Sequence, residues 1–371
     1  VTTLDEYRAG FLEEPGYLDY GSVGPISKTV QEELYAHADL FARARFGSLA
    51  QLGHSDERVR VAASDLTGFP ADQIVFQPST TQGLMQAIFG ITGDVLVSPA
   101  EFPSLPVAVQ RAAEALHVVN PVWLETDHGK VTPSEIREQL TDAVTAVAVS
   151  LVDARTGYVA DLDGIRQVIG DRLLIVDAIQ GFGVVDAPFE VADVVATGGQ
   201  KWVRAGWGTG FLALSERALG HITPVFSGWT GTDLFEPWDA VPPYARTAKA
   251  FTVSNPDRVA QACLASALEE VAAVGVAEIS AAVADAAARV IDLADEYGIA
   301  VASPRAENER AGIVVLEPEP ESLTKLTASL HNHGVTARTR GGGVRLSAHA
   351  GTTEETLGML RGALTSYASA Y

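Results

Sequence analysis

The chain has 371 residues, 47% of them hydrophobic and 20% charged, and a formal net charge of −21. That length allows two domains and a large core, while an acidic balance without any basic run excludes phosphate-backbone binding and marks a soluble acidic surface. The one cysteine, Cys263, excludes an internal disulfide framework, and no stretch approaches the ~18 consecutive apolar residues of a membrane span.

The opening stretch, VTTLDEYRAGFLEEPGY, is acidic and mixed, unlike a signal peptide. With the lone cysteine it sets a cytoplasmic location as the expectation. From residue 73 onward, short apolar runs alternate with helical patterns. QIVFQ (73–77) precedes TTQGLMQAIFGI, DVLVSPA (94–100) precedes LPVAVQRAAEAL, and TAVAVSLVD (145–153) precedes DLDGIRQVIG. RLLIVDAIQ (172–180), DVVATGG (193–199) and GTGFLALS (208–215) complete the series. Val- and Ile-rich runs bounded by Gly, Pro or Asp read as buried strands. Their alternation with helices predicts an α/β fold with a mostly parallel sheet covered on both faces.

Residues 220–256 are rich in Pro, Gly and aromatics without clean periodicity, the mark of a long functional loop. From Pro256 to Tyr297 the pattern is helical, with Gly275 as the expected interruption. A strand over 312–318, a helix over about 320–332 and the segment GVTARTRGGGVRLSAHAG then describe a smaller α+β unit. The expected domains are 13–250 and 251–371, with residues 1–12 as an arm packed on the small domain.

In parallel sheets ligands sit beyond the carboxyl ends of the strands. Ser79, Thr80 and Thr81, Phe102, Asp153, Asp177 with Gln180, and Lys201 all fall at such ends. PSTTQGL can cap a helix whose free N–H groups face an anion, or be an ordinary cap. Asp177 follows four apolar residues, so its carboxylate needs a partner: a salt bridge, a strand-end cap or a ligand. Lys201 alone reads equally as a surface lysine, and Phe102 alone as core. Together they offer a phosphate cradle, a flat face, a buried acid and an amine. One cofactor has those four needs, pyridoxal 5′-phosphate, whose aldehyde takes a lysine and whose ring nitrogen takes an acid.

The ordered motifs resemble the class V aminotransferase group of fold-type I pyridoxal-phosphate enzymes, which includes cysteine desulfurases, kynureninases and isopenicillin N epimerase-like proteins. YLDYGSVGPIS (17–27), STTQGLMQA, EFPSLP (101–106), SLVDARTG (150–157), VDAIQGFG (176–183), TGGQKWVRAGWGTGFL and GVRLSAHAGTTEE (343–355) carry the resemblance over nearly the whole sequence. It implies a seven-stranded-type sheet in the large domain and a smaller C-terminal domain. It makes Lys201 the Schiff-base residue, with Asp177 on the pyridine nitrogen and Gln180 on the phenolic oxygen. Arg345 becomes the holder of the substrate carboxylate. GWTGTDLFEPW and FTVSNP are similar to kynureninase segments, which would bring Trp229 to the substrate and Ser254 and Asn255 to the cofactor from the neighbouring subunit of a homodimer.

The sequence also departs from the family. Gln82 stands where an acid is usual, Phe102 where desulfurases have histidine, and Gln200 where a histidine often lies against the cofactor. Thr197 then offers a hydroxyl. GGGVR lies where desulfurases with a mobile nucleophile place their cysteine, and Cys263 reads as a small core residue. The expected function is therefore chemistry on an amino acid joined to the cofactor as an external aldimine: lyase-type cleavage of a C–S or C–C bond in its side chain, without a persulfide-forming cysteine. Transamination to an oxo acid is the alternative, and a non-catalytic binding protein of the same fold is a third reading. GWGTG (206–210) precedes a strand, so it is not a dinucleotide loop. No metal, nucleic acid or membrane is expected as a partner.

Overall fold

The computed structural model describes residues 2–234 and 239–369. Part of the segment GWTGTDLFEPW, residues 235–238, lies outside the described residues. The large sheet is built from β1 (Ile74–Phe76), β2 (Gly93–Val97), β3 (Val119–Trp123), β4 (Val144–Ser150), β5 (Leu173–Asp177), β6 (Val194–Gly198) and β7 (Gly210–Leu214). Their spatial order is β1-β7-β6-β5-β4-β2-β3. The pairs from β3 through β6 are parallel, and β7 pairs antiparallel with both β6 and β1. This is the expected mostly parallel α/β sheet of seven strands.

Each central strand is buried on both faces, and its alternate residues enter different cores. Val147 and Val149 of β4 join Leu174 and Val176 of β5 in one core with the helices His54–Thr67, Leu162–Ile169 and Arg258–Val274. Ala146 and Ala148 join Leu173 and Ile175 in the other, under the helices Thr80–Ile88 and Ser104–Leu116. The period of two along a strand separates them. It also explains why these strands read as continuous apolar runs.

The second sheet is antiparallel, made of β8 (Ala300–Val301), β9 (Ile313–Glu317), β10 (Arg338–Arg340) and β11 (Gly343–Ser347) in the order β10-β11-β9-β8. The expected helical stretch over 256–297 is two helices, Arg258–Val274 and Val276–Glu296, bent by 86° at Gly275. Gly275 has φ 97°, a conformation in which other residues are strained. The first helix packs its Cys263, Leu264 and Leu268 into the core of the large sheet. The second helix starts in that core with Ile279 and Val283 and ends in the small-sheet core with Val290, Ile291 and Ala294. No single described helix is long and apolar enough to cross a membrane.

One stretch stitches the two sheets together above the strand ends. Leu18 donates to Thr336 O and accepts from the Ser347 N–H, at 3.0 and 2.7 Å. A few residues on, the Gly24 N–H reaches Gln200 O at 2.8 Å. A side chain at Gly24 would collide with Lys201 O. The segment from residue 18 to 24 therefore lies directly against the lysine loop.

Candidate active site

Parallel pairing brings the ends of β4, β5 and β6 level, with Ser150 opposite Asp177 and Asp177 opposite Ala196. Asp177 is buried, at 2% exposure. Its Oδ1 accepts the Ile179 N–H at 3.1 Å, and its Oδ2 has no hydrogen-bond partner among the described residues. Burial pushes its pKa up to about 6, against the pull of the Ile179 N–H and the Lys201 charge. An ionised carboxylate with one oxygen orphaned in low dielectric is costly. A cationic N–H placed there would remove that cost.

Lys201 follows β6 in the turn closed by the Arg204 N–H on Lys201 O, at 3.0 Å. Its Nζ lies 5.3 Å from the centre of the Phe102 ring. Burial lowers its pKa to about 8; Asp177 and Asp19 oppose that shift, and Arg345 and Arg340 add to it. The amine is thus far closer to neutrality at physiological pH than an ordinary lysine, which favours attack on a carbonyl.

The helix Thr80–Ile88 begins at Ser79, whose Oγ accepts the Gln82 N–H at 3.2 Å. Thr80 is buried and its Oγ1 has no partner among the described residues. Thr81 Oγ1 pairs with Ser104 Oγ at 2.8 Å. A Cβ on Gly198 would sit 3.1 Å from Thr80 Oγ1 and would run into Gln200 Oε1. Gly198 therefore keeps open a hollow between the helix start and the lysine loop. The orphaned hydroxyl, the helix start, the orphaned carboxylate oxygen, the aromatic ring and the depressed amine match the needs of pyridoxal phosphate. The first two suit its phosphate, and the others its ring nitrogen, ring face and aldehyde.

Gln180 is fixed at both ends of its amide. Its Oε1 accepts the indole N–H of Trp202 and its Nε2 donates to Gly21 O, each at 2.9 Å. Because indole only donates, the amide cannot turn over. Asp153 accepts at one oxygen from Arg155 N, Thr156 N and Thr156 Oγ1. It shapes its own turn. Thr197 Oγ1 reaches Gly198 O at 3.4 Å, a weak contact.

Arg345, on β11, is buried and held from three sides. Nη1 donates to Ala154 O at 3.1 Å, while Nη2 donates to Ser22 Oγ at 2.7 Å and to Asp19 at 3.4 Å. Its Nε has no partner among the described residues. Sequence reasoning passed over Asp19 and Ser22, which sit in the stretch 17–27 quoted only for its resemblance. It also passed over Glu101 beside Phe102. Glu101 accepts the Ser150 N–H at 2.9 Å, and its pKa is raised to about 7, chiefly by burial and further by Asp153 and Asp177. An acid ending an apolar run, as at Asp177, was the available signal.

Ser254, Asn255 and Trp229 are exposed. Ser254 and Asn255 line a cavity of about 1050 Å³ with Gln77, Pro78 and Gln82, beside the helix start; Lys201, Asp177 and Phe102 are not in its walls. Trp229 stands 55% exposed, next to Gly228, which is bonded to Thr252 O at 3.0 Å.

Residues 24–370 match the family model described as aminotransferase class-V. An uncharacterised aminotransferase, YcbU, from Bacillus subtilis is 24% identical over 341 residues, covering 89% of this chain and 87% of that one. A kynureninase from Deinococcus radiodurans is 28% identical over 336 residues, covering 84% and 80%. Among solved structures, a cysteine desulfurase from Thermococcus onnurineus superimposes with a TM-score of 0.85 at 20% identity, covering 96% of this chain and 95% of that one.

Proposed function

The protein belongs to the class V aminotransferase family of pyridoxal-phosphate enzymes, and from that membership we propose that it cleaves a C–S or C–C bond in the side chain of an amino acid without using a thiol of its own. The observation that carries the shared part of this reading is the Lys201 amine, its pKa lowered to about 8, sharing a site with the half-unpaired Asp177. When bound, pyridoxal phosphate supplies an electron sink for the pair left at the substrate Cα.

The proposed roles of the residues are these, and their positions support them. Ser79, Thr80 and Thr81 bind the phosphate at the helix start, and Phe102 covers one ring face. Asp177 holds a proton on the pyridine nitrogen through Oδ2. Gln180, locked by Trp202 and Gly21, presents its remaining amide hydrogen to the phenolic oxygen. Arg345 orients the substrate by its α-carboxylate, with Asp19 and Ser22 fixing the guanidinium. Lys201 takes the α-proton on Nζ and returns a proton within the same site. Ser254, Asn255 and Trp229, exposed in the single copy, are assigned to completing the site of a second copy in a homodimer.

Cys263 supports the absence of a thiol step. It is buried in the helix Arg258–Val274, among core residues, and burial raises its pKa to about 11. A thiol held that far from ionisation is a poor nucleophile. Transamination is the competing outcome, in keeping with the relative from Bacillus subtilis. Incubating the holoprotein with a panel of amino acids distinguishes them. Release of sulfide or of a fragment of the side chain is expected. Accumulation of pyridoxamine phosphate with an oxo acid, and no fragment, would contradict the lyase reading.

A further inference from the structure

Three arginines share one face of the small sheet where it meets the lysine loop. Arg338 and Arg345 are register partners across β10 and β11, so their side chains stand on the same face. Arg340 is two residues along β10 and returns to that face. The turn between the strands has Gly341 and Gly342 at φ 60° and 86°, the left-handed pair of a tight hairpin, which sets where Arg340 lies.

The three are unequally balanced. Asp19 serves two of them, pairing with Arg338 at 3.3 Å and with Arg345 at 3.4 Å. Ser22 Oγ accepts from both as well, at 3.2 and 2.7 Å. Arg340 has neither an ion pair nor a hydrogen bond among the described residues. Its guanidinium carbon lies 5.7 Å from the centre of the Phe102 ring, the same ring that lies 5.3 Å from Lys201 Nζ. Arg340 is exposed, so water can solvate it; what marks it is its place over the ring that Lys201 also faces. If an α-carboxylate were held by Arg345, as proposed above, Arg340 would still be unmatched.

We propose that Arg340 is a specificity residue that binds a second anionic group, so that the substrate is an amino acid with an acidic side chain. This rests on the reading of Lys201 and Arg345 given above. A carboxylate or a sulfinate offers the paired oxygens that a guanidinium fork recognises. The neutral amide of the same shape does not.

The test is binding rather than turnover. Holoprotein is titrated with aspartate, cysteine sulfinate, asparagine and alanine, following the visible band of the bound cofactor. In parallel, the thermal shift of cofactor-free protein is measured with succinate and with butyrate. Wild-type protein is expected to bind the acidic amino acids about tenfold or more tighter than asparagine, the scale of one charge-assisted pair, and to be stabilised more by succinate than by butyrate. Arg340→Gln is expected to abolish both preferences while keeping the affinity for alanine. Aspartate against cysteine sulfinate separates the two acid types. Equal binding of acid and amide by wild-type protein, or an undiminished preference in Arg340→Gln, overturns the proposal. Failure of the underlying reading looks different: no cofactor band forms in either protein, and the proposal falls with it.

Discussion

The indole N–H of Trp202 donates to Gln180 Oε1 at 2.9 Å, joining the loop after β5 to the residue that follows Lys201. Both side chains are buried, at 1% and 2% exposure. The bond keeps the lysine loop and the Gln180 amide in one fixed arrangement. Trp202→Phe would keep most of the apolar packing and orphan the amide oxygen. Leaving one buried acceptor unmatched costs about 1–3 kcal/mol. A lower denaturation midpoint of the cofactor-free variant is the expected result, and an unchanged midpoint would show that the bond contributes nothing.

Lys201 has its pKa lowered from 10.5 to about 8. Between those values the unfolded state binds more protons than the folded one at this site. Folded stability therefore rises with pH from about 8 to 10.5, by on the order of 3 kcal/mol at most. Subtracting the stability profile of Lys201→Met from that of wild-type cofactor-free protein should isolate this slope. The rate at which cofactor-free protein captures pyridoxal phosphate should also rise with pH through about 8, as the amine loses its proton. A flat rate from pH 6 to pH 9, roughly one unit or more either side of the transition, would contradict an accessible neutral amine.

His349 is completely buried, with Nε2 against Trp202 O at 2.9 Å and Nδ1 accepting the Ala350 N–H at 2.7 Å. These contacts call for the neutral ring with its proton on Nε2. Burial lowers the pKa to about 3, and the Arg204 charge adds to the effect. The stability this residue contributes is complete above its usual value of 6.5 and is lost as pH falls toward 3. Glu101 and Asp177, with raised pKa values, act in the opposite sense: their contribution grows as pH falls through about 7 and about 6. The difference between wild-type and His349→Gln stability should therefore shrink on acidification below pH 6.5. A constant difference would contradict the neutral assignment.

Gly198→Ala tests the hollow beside the helix start. The new methyl would lie 3.0 Å from Ile179 Cδ1 and 3.1 Å from Thr80 Oγ1, and it would displace the Gln200 amide. Overpacking of this kind costs about 1–3 kcal/mol. Here it falls on the space proposed for the phosphate. Affinity for pyridoxal phosphate is expected to weaken about tenfold or more, with the fold intact by circular dichroism. Unchanged affinity in equilibrium dialysis would place the phosphate elsewhere.

Much of the scaffold was legible because burial on both faces leaves a plain trace. The runs at 145–153, 172–180 and 193–199 became β4, β5 and β6, each with a Val- or Ile-rich interior. β3 escaped because it is an edge strand: it carries Pro121, tolerated only where no ladder bond is needed, and four of its residues are not fully buried. The final helix, Glu354–Ser369, lies almost wholly beyond the last recognisable motif. At the site, Asp177 and Lys201 stood out because a charge at the end of an apolar run needs a reason. Asp19 and Arg340 did not, since their meaning depends on which charges the small sheet brings together. That Arg338 shares Asp19 with Arg345 while Arg340 goes without is set by hairpin register, a long-range fact.

One covalent attachment point underlies all of the proposed chemistry. Holoprotein reduced with borohydride, digested and examined by peptide mass should carry the pyridoxyl phosphate group on Lys201, with the label lost in Lys201→Ala. A label on Lys28, Lys130, Lys249 or Lys325 instead, or no label on any lysine, would contradict it.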